Sequence, residues 1–342
     1  MSSFDPRLTI PAGWYAVGFS EDLPEGKLTP VHFAGTAAVL YRGCSGQPQL
    51  ADATCPHLGA RFDRGGKVVG DDLQCPMHHF TFGRDGKCTK TLYGKRVPRR
   101  AVVRTWPTVE RAGMIFAWHC PHNEAPRWQM PEDLSSPEWG PGRRTRVSMN
   151  TTPQDIAENL VDPGHFGPTH GYGGLAVLSP AVFGEDDVVT RYGIEREAGM
   201  YGRKDVVKVE LNIRLLGMGI FCIDGYANPG GLHTRILLST SPKRIGRIDF
   251  MWRVWTVDLA RPEDMLPGIR FLPKRWQHKL FETLTWAGMR FDVAQDRRVL
   301  DGKRWIDPPA LADGDGPIGR FRAWCSRYYE PAEEIGLALV AK

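Results

Sequence analysis

Apolar residues are distributed along this chain in two ways. Up to Trp118 they come in short clusters separated by glycine, proline and polar residues. Ala37-Ala38-Val39-Leu40-Tyr41 and Val68-Val69 read as short β-strands, and Arg111-Ala112-Gly113 as a turn leading into a strand through Trp118-His119. From Cys120 to Arg146 the pattern stops: Pro121, Pro126, Pro131, Pro137 and Pro141, with Gly140 and Gly142, predict an extended linker. Beyond it the segments lengthen. Residues 154–161 are predicted helical, with Thr151 or Thr152 as N-cap and Pro153 in the first turn. Residues 184–256 carry long β patterns, at 205–216, 232–241 and 247–257, and 276–299 a final helix. Short strands, then long strands with helices grouped about them, predict an α+β chain with a cavity. The expected domains are 1–125 and 126–342, with 126–146 as linker.

At 342 residues, 42% of them hydrophobic, the chain has material for two cores. The net charge of +5 is modest and reads as interspersed. Arg99-Arg100 and Arg143-Arg144 are short pairs, too small for a nucleic-acid arm; they read as a solvated basic face, with a docking patch for an acidic redox partner as the alternative. No apolar run approaches the roughly 18 residues of a membrane span, and no leader pattern is visible. Seven cysteines, an odd number, form no disulfide framework, and with no leader pattern a cytoplasmic protein is expected.

Two of those cysteines carry chemistry. Cys55-Pro56-His57 and Cys75-Pro76-Met77-His78 offer two thiolates and two imidazoles from two loops. A Rieske [2Fe–2S] cluster takes Cys₂ on one iron and His₂ on the other. One Cys and one His per loop puts each loop on both irons. Structural zinc, the rival for this set, favours paired Cys-x₂₋₄-Cys and His-x₃₋₅-His, which Cys-x-His fits poorly. Gly59 and Gly66 are expected to permit positive φ and close backbone approach, and Pro56 and Pro76 to fix the chain beside each Cys. Cys44, Cys88, Cys120, Cys222 and Cys325 lack ligand spacing and are predicted to be buried apolar side chains.

A second constellation lies in Glu158-Asn159-Leu160-Val161-Asp162-Pro163-Gly164-His165-Phe166-Gly167-Pro168-Thr169-His170. Two His and a carboxylate hold non-haem Fe(II) with positions left open. His165 and His170 are five apart and diverge on a regular helix; Gly167-Pro168 breaks it between them. The carboxylate is Asp162 or one of Glu282, Asp292 and Asp296, and spacing does not choose among these.

In this order and in a chain of this size, the two clusters resemble the oxygenase component of Rieske non-haem iron oxygenases. The run from His78 to Cys88, continued by Tyr93-Gly94-Lys95-Arg96-Val97-Pro98, is similar to the branch of 3-ketosteroid 9α-hydroxylases and sterol-desaturating oxygenases. So are Phe116-Ala117-Trp118-His119, Gln154-Asp155-Ile156-Ala157-Glu158-Asn159 and the run from Gly314 to Arg322. The resemblance implies an all-β Rieske domain followed by a helix-grip (START-like) domain with an antiparallel sheet. It implies that Cys55 and Cys75 bind one cluster iron, His57 and His78 the other, and that His165, His170 and Asp296 bind mononuclear Fe(II). Asp162 matches an acidic residue bridging the two metal sites across a subunit boundary, and Asn159 a position near the iron. His79 departs from the Gly or Asp of relatives.

The resemblance further implies O₂ as co-substrate, electrons from NAD(P)H through a ferredoxin and/or flavin-dependent reductase, and a homotrimer. The expected reaction is hydroxylation or desaturation of a steroid- or sterol-like substrate. Strands at 211–222 and 232–238 are read as lining its cavity. Aromatic ring hydroxylation, demethylation and natural-product tailoring stay open as alternatives. A bare Rieske electron carrier needs only the first domain, and a lipid-binding module with a vestigial cluster needs no mononuclear iron.

Overall fold

The computed structural model describes residues 5–94, 96–200 and 203–329. Lys95 of the Tyr93–Pro98 run, and 330–342 at the end of the expected second domain, lie outside the described residues. The chain forms two compact units. One holds Ala12–Asp133 with Ser241–Ile245, the other Leu134–Thr240 and the chain from Gly246.

The first unit contains three small sheets. β1 (Gly13–Phe19), β2 (Leu28–Phe33), β3 (Thr36–Arg42), β4 (Pro48–Asp52), β5 (Lys67–Val69), β6 (Asp72–Gln74), β7 (Thr81–Phe82), β8 (Cys88–Lys90), β9 (Thr105–Trp106), β10 (Thr108–Arg111) and β11 (Met114–His119) follow in sequence. They order as β1-β11-β10, β2-β3-β4-β9 and β5-β6-β7-β8. The unbroken apolar run of β3 has a plain cause. Successive side chains face opposite ways, so Ala38 and Leu40 enter one core with Tyr15, Phe33 and Trp106, while Val39 and Tyr41 enter a second. That second core, with Phe62, Leu73, Phe80 and Phe82, also contains Cys55 and Cys75 and seats both Cys/His loops.

The second unit is built on β12 (Arg143–Met149), β13 (Gly173–Phe183), β14 (Asp187–Met200), β15 (Arg203–Leu216), β16 (Ile220–Asn228), β17 (Leu232–Arg244) and β18 (Arg247–Leu259). They form one sheet in the order β12-β18-β17-β16-β15-β14-β13, antiparallel in its register pairs. The helices are α1 (Pro153–Val161), α2 (Phe166–His170), α3 (Lys274–Leu300) and α4 (Ile318–Cys325). Alternate strand residues, among them Tyr192, Ile213, Phe221, Ile236 and Trp252, bury against α1, α3 and α4 residues such as Ala157, Val293 and Phe321. The Trp286 indole N–H of α3 donates to Thr145 Oγ1 of β12 at 2.6 Å, tying helix to sheet.

Three expectations are corrected. Residues 211–222 are not one strand: β15 ends at Leu216, Gly217 turns at φ 55°, and β16 begins at Ile220. A strand starts at Arg143, inside the stretch read as linker, because 143–149 pairs with 248–254 along the sheet edge. Its Arg-Arg-Thr-Arg composition hides it, since packing rather than intrinsic preference decides strands. Cys44 is exposed rather than buried, lying in the turn after β3.

Candidate cluster and metal sites

The two Cys/His loops are built alike. A Thr54↔Arg61 bridge closes one, and the Gln74↔Thr81 pair the other. Cys55 N–H donates to Ala60 O at 2.7 Å and Cys75 N–H to Phe80 O at 2.8 Å. Gly59 N–H and His79 N–H donate back to the Cys55 and Cys75 carbonyls at 3.0 and 3.1 Å. The fifth position of each loop is left-handed, with φ 78° at Gly59 and 55° at His79. Gly66 has another reason: a Cβ there would stand 2.5 Å from Phe62 O, so close approach rather than positive φ requires glycine.

These loops bring Cys55, His57, Cys75 and His78 to one place. Both cysteines are 1% exposed, and the imidazole centroids of His57 and His78 are 4.7 Å apart. The His57 ring stacks on Phe80 at 4.2 Å, and its buried Nδ1 has no hydrogen-bond partner among the described residues. Burial pushes the Cys55 thiol up to about 11, and the Cys75 thiol adds to the rise. Two adjacent buried thiols and an orphaned buried imidazole nitrogen are costly together. A cationic iron cluster satisfies all three, so the donor set fits the group.

The second site depends on a broken helix. Thr152 caps α1, accepting from Asp155 N–H, and Asp162 ends it. The Asp162 carboxylate accepts from Gly164 N–H at 3.1 Å, starting the short turn that carries His165 into α2. Gly171, at φ 71°, stops α2 directly after His170. One donor atom each from His165, His170 and Asp296 fall within 4.8 Å of one another. His165 Nδ1 meets the Asp162 carbonyl, and His170 Nδ1 meets Gln295 Oε1 at 3.1 Å. Each ring is thus anchored through Nδ1, as metal-bound histidines commonly are. His170 Nε2 lies 3.3 Å from Asp296 Oδ1. Burial lowers His165 and favours the neutral imidazole that binds metal; for His170 burial is outweighed by Asp296, and the pKa rises. Two imidazoles and a carboxylate with this support fit a 2-His-1-carboxylate iron.

The other carboxylates are elsewhere. Asp292, one turn before Asp296, accepts from Tyr172 OH at 2.6 Å and from Arg196 at 3.3 Å. Glu282 stands 3.9 Å from Arg143. The Asp162 carboxylate is 3.9 Å from His165 Nδ1 and a third exposed, outside the three-residue cluster. Asn159 is half-buried in the last turn of α1.

The sequence reading missed the supports. Glu158, almost fully buried, accepts from Arg322 Nε at 2.8 Å and Lys303 Nζ at 3.1 Å, tying α1 to α4. Arg322 lies 3.8 Å over the Trp305 ring. A Cβ on Gly316 would fall 1.4 Å from Val161 O, so this loop backs directly onto the end of α1. Both partners stood in runs singled out above, Gln154–Asn159 and Gly314–Arg322; that they meet was the missing fact.

Residues 13–107 match the Rieske [2Fe-2S] domain, and 117–329 the 3-ketosteroid 9alpha-hydroxylase C-terminal domain. The chain is 29% identical to a cholesterol 7-desaturase of Caenorhabditis elegans, over 94% of this chain and 77% of that one. It is 25% identical to a 3-ketosteroid-9-alpha-monooxygenase oxygenase component of Rhodococcus rhodochrous, over 96% and 85%. In fold it is similar to dicamba monooxygenase with non-heme iron and dicamba (TM-score 0.61, 19% identity, 95% and 98% covered). It is also similar to Pseudomonas putida CBB5 NdmA with caffeine (TM-score 0.66, 15% identity, 91% and 89% covered).

Proposed function

The chain belongs to the Rieske oxygenases whose catalytic half is the 3-ketosteroid 9α-hydroxylase C-terminal domain, and from that premise we propose that it hydroxylates or desaturates a steroid- or sterol-like substrate. As an oxygenase component it works with a reductase, which we read as ferredoxin- or flavin-dependent. The observation that carries the substrate class is the domain match over 117–329, joined to a His165–His170–Asp296 cluster at the helix side of a long apolar sheet face. Val209, Leu211, Ile223 and Met289 are only partly buried beside that core, apolar surface of the kind a large apolar substrate needs.

When bound, the cluster supplies single electrons and the mononuclear iron supplies reductive activation of O₂. The chain's own residues do the rest. Cys55, Cys75, His57 and His78 would hold the cluster, and His165, His170 and Asp296 the iron. The Asp162 carbonyl and Gln295 Oε1 stand where they would accept from each Nδ1–H with iron bound, the tautomer that frees Nε2 as a ligand. Asp162, with its carboxylate partly open to solvent, is read as the bridge between one subunit's iron and the neighbour's cluster in a homotrimer, and Asn159 as a residue lying near the iron.

The test is turnover of 3-ketosteroids, sterols, bile-acid-like compounds and CoA esters with a surrogate reductase, followed by mass spectrometry, with His165→Ala as control. Gain of one oxygen or loss of two hydrogens by the unmodified enzyme alone supports the reading and names the outcome. No product, with both metal centres loaded and electrons reaching the cluster, rejects the steroid class in favour of aromatic or demethylating chemistry.

A further inference from the structure

Charges that read as interspersed along the chain are concentrated in one place. From Arg84 to Arg104 there are eight Lys and Arg against one acidic residue, Asp85, which leaves 36 basic and 38 acidic residues to everything else. The whole positive excess therefore lies in this segment. It follows the second cluster loop directly. It leaves through β8, turns where Gly94 N–H donates to Thr91 Oγ1 at 3.1 Å, and returns to pair Val102 with Lys87. Lys90, Arg96, Arg99 and Arg100 are exposed, and none of the four has a carboxylate partner among the described residues.

The same segment exposes apolar side chains. Leu92 is 66% and Tyr93 63% exposed. Tyr93 also reaches inward: its ring is 6.1 Å from His78 and 6.3 Å from Phe80, on which His57 stacks. Clustered like charges repel, and apolar side chains exposed among them gain nothing from solvent. Together they make a face with a positive surround, an apolar centre, and ring contacts leading to both cluster histidines.

We propose that the 84–104 segment is the docking face for the electron donor, an acidic redox protein whose negative surface meets Lys90, Arg96, Arg99 and Arg100 while Leu92 and Tyr93 form the dry centre. This rests on the reading of Cys55, His57, Cys75 and His78 as the cluster site. One electron leaves the reduced donor and is taken up at the cluster, with no bond made or broken. A lipid surface would also take a basic, apolar face, but it has no need of a ring touching a cluster ligand; that contact favours a redox partner.

Binding of the holoprotein to a plant-type [2Fe–2S] ferredoxin tests this by titration at about 20 mM and 200 mM salt, since screening weakens such contacts over this range. Lys90→Glu/Arg99→Glu/Arg100→Glu should weaken binding at least about tenfold at low salt and flatten its salt dependence, mainly through the on-rate. Arg270→Glu/Arg275→Glu, reversing an exposed pair in the other unit, should stay within about twofold. Visible circular dichroism of each variant checks the cluster separately: a wild type without the Rieske signal overturns the site reading itself. With that signal present, four results overturn the docking proposal. These are no ferredoxin binding by wild type or an equal loss in both variants, preferential binding to phosphatidylserine vesicles that the first variant loses, or a change of oligomeric state on reversing these charges.

Discussion

At residue 79 a histidine occupies a backbone conformation that suits glycine. Its φ of 55° mirrors Gly59 in the sister loop, because both close the same hydrogen-bonded turn around a cysteine. An L side chain there costs on the order of 1 kcal/mol, partly offset by glycine's greater freedom when unfolded. His79→Gly should therefore stabilise the first unit by about 0.5–1 kcal/mol, seen as a thermal midpoint raised by a few degrees with an unchanged cluster spectrum. At the other site Asp292 and Asp296 differ by one helical turn, and spacing leaves them equal. Hydrogen bonds separate them: Tyr172 and Arg196 engage Asp292, while Asp296 faces His170. Metal analysis should find the non-cluster iron lost in Asp296→Asn and retained in Asp292→Asn; loss in both would mean that the two carboxylates act together.

At the scale of elements, the end of α1 decides whether the second site exists. It is held by Glu158 against Arg322 and Lys303, and by the approach of Gly316 to Val161. A methyl at 316 has no room, and overpacking of this kind costs about 1–3 kcal/mol. Gly316→Ala should displace Asp162 and His165 and reduce iron content while the cluster's visible spectrum stays intact; full iron loading would show that the loop yields instead. Between β16 and β17, Asp224 accepts from Arg235 at 2.7 and 2.8 Å and from His233 at 2.9 Å. Burial alone would raise this carboxyl; the Arg235 hydrogen bonds outweigh it and the pKa is lowered. A depressed folded pKa means stability present above the unfolded value, near 3.9, and lost as pH falls through the folded one. Asp224→Asn should lower the thermal midpoint at pH 7, by about 2 kcal/mol in stability, and the difference from wild type should close only below about pH 4.

The whole molecule is two units with two chemistries, one core seating the Cys/His loops and another seating the His/His/Asp cluster. The ligand sets differ in softness, thiolate and imidazole against imidazole and carboxylate. Mild chelation of the reduced protein should remove about one iron per chain and leave the Rieske signal, and His165→Ala should reproduce that state without chelator. Simultaneous loss of both would show that the two centres depend on each other for stability. The Cys/His loops proposed to hold the cluster were legible in the chain because they are local: two loops, each with its donors within four residues, state donor type and number. The long helix and the long strands were legible for a related reason, their repeats of 3.6 and 2 being written in consecutive residues. β12 was not, because Arg143–Arg146 is a strand only by pairing with β18.

By itself the sequence determined the cluster loops, the His165–His170 pair, the order of a β domain before an α+β domain, and the excess of charge at 84–104. All of these are properties of neighbours along the chain. Tertiary structure alone decided which helix carboxylate faces the histidines, what anchors each imidazole, why Gly316 stands where it does, and that the basic segment meets His78 through Tyr93. Those facts join residues up to 155 positions apart, the separation of Gly316 from Val161. Long-range contacts are set by packing, and no local pattern of residue types encodes which distant partner a side chain will meet.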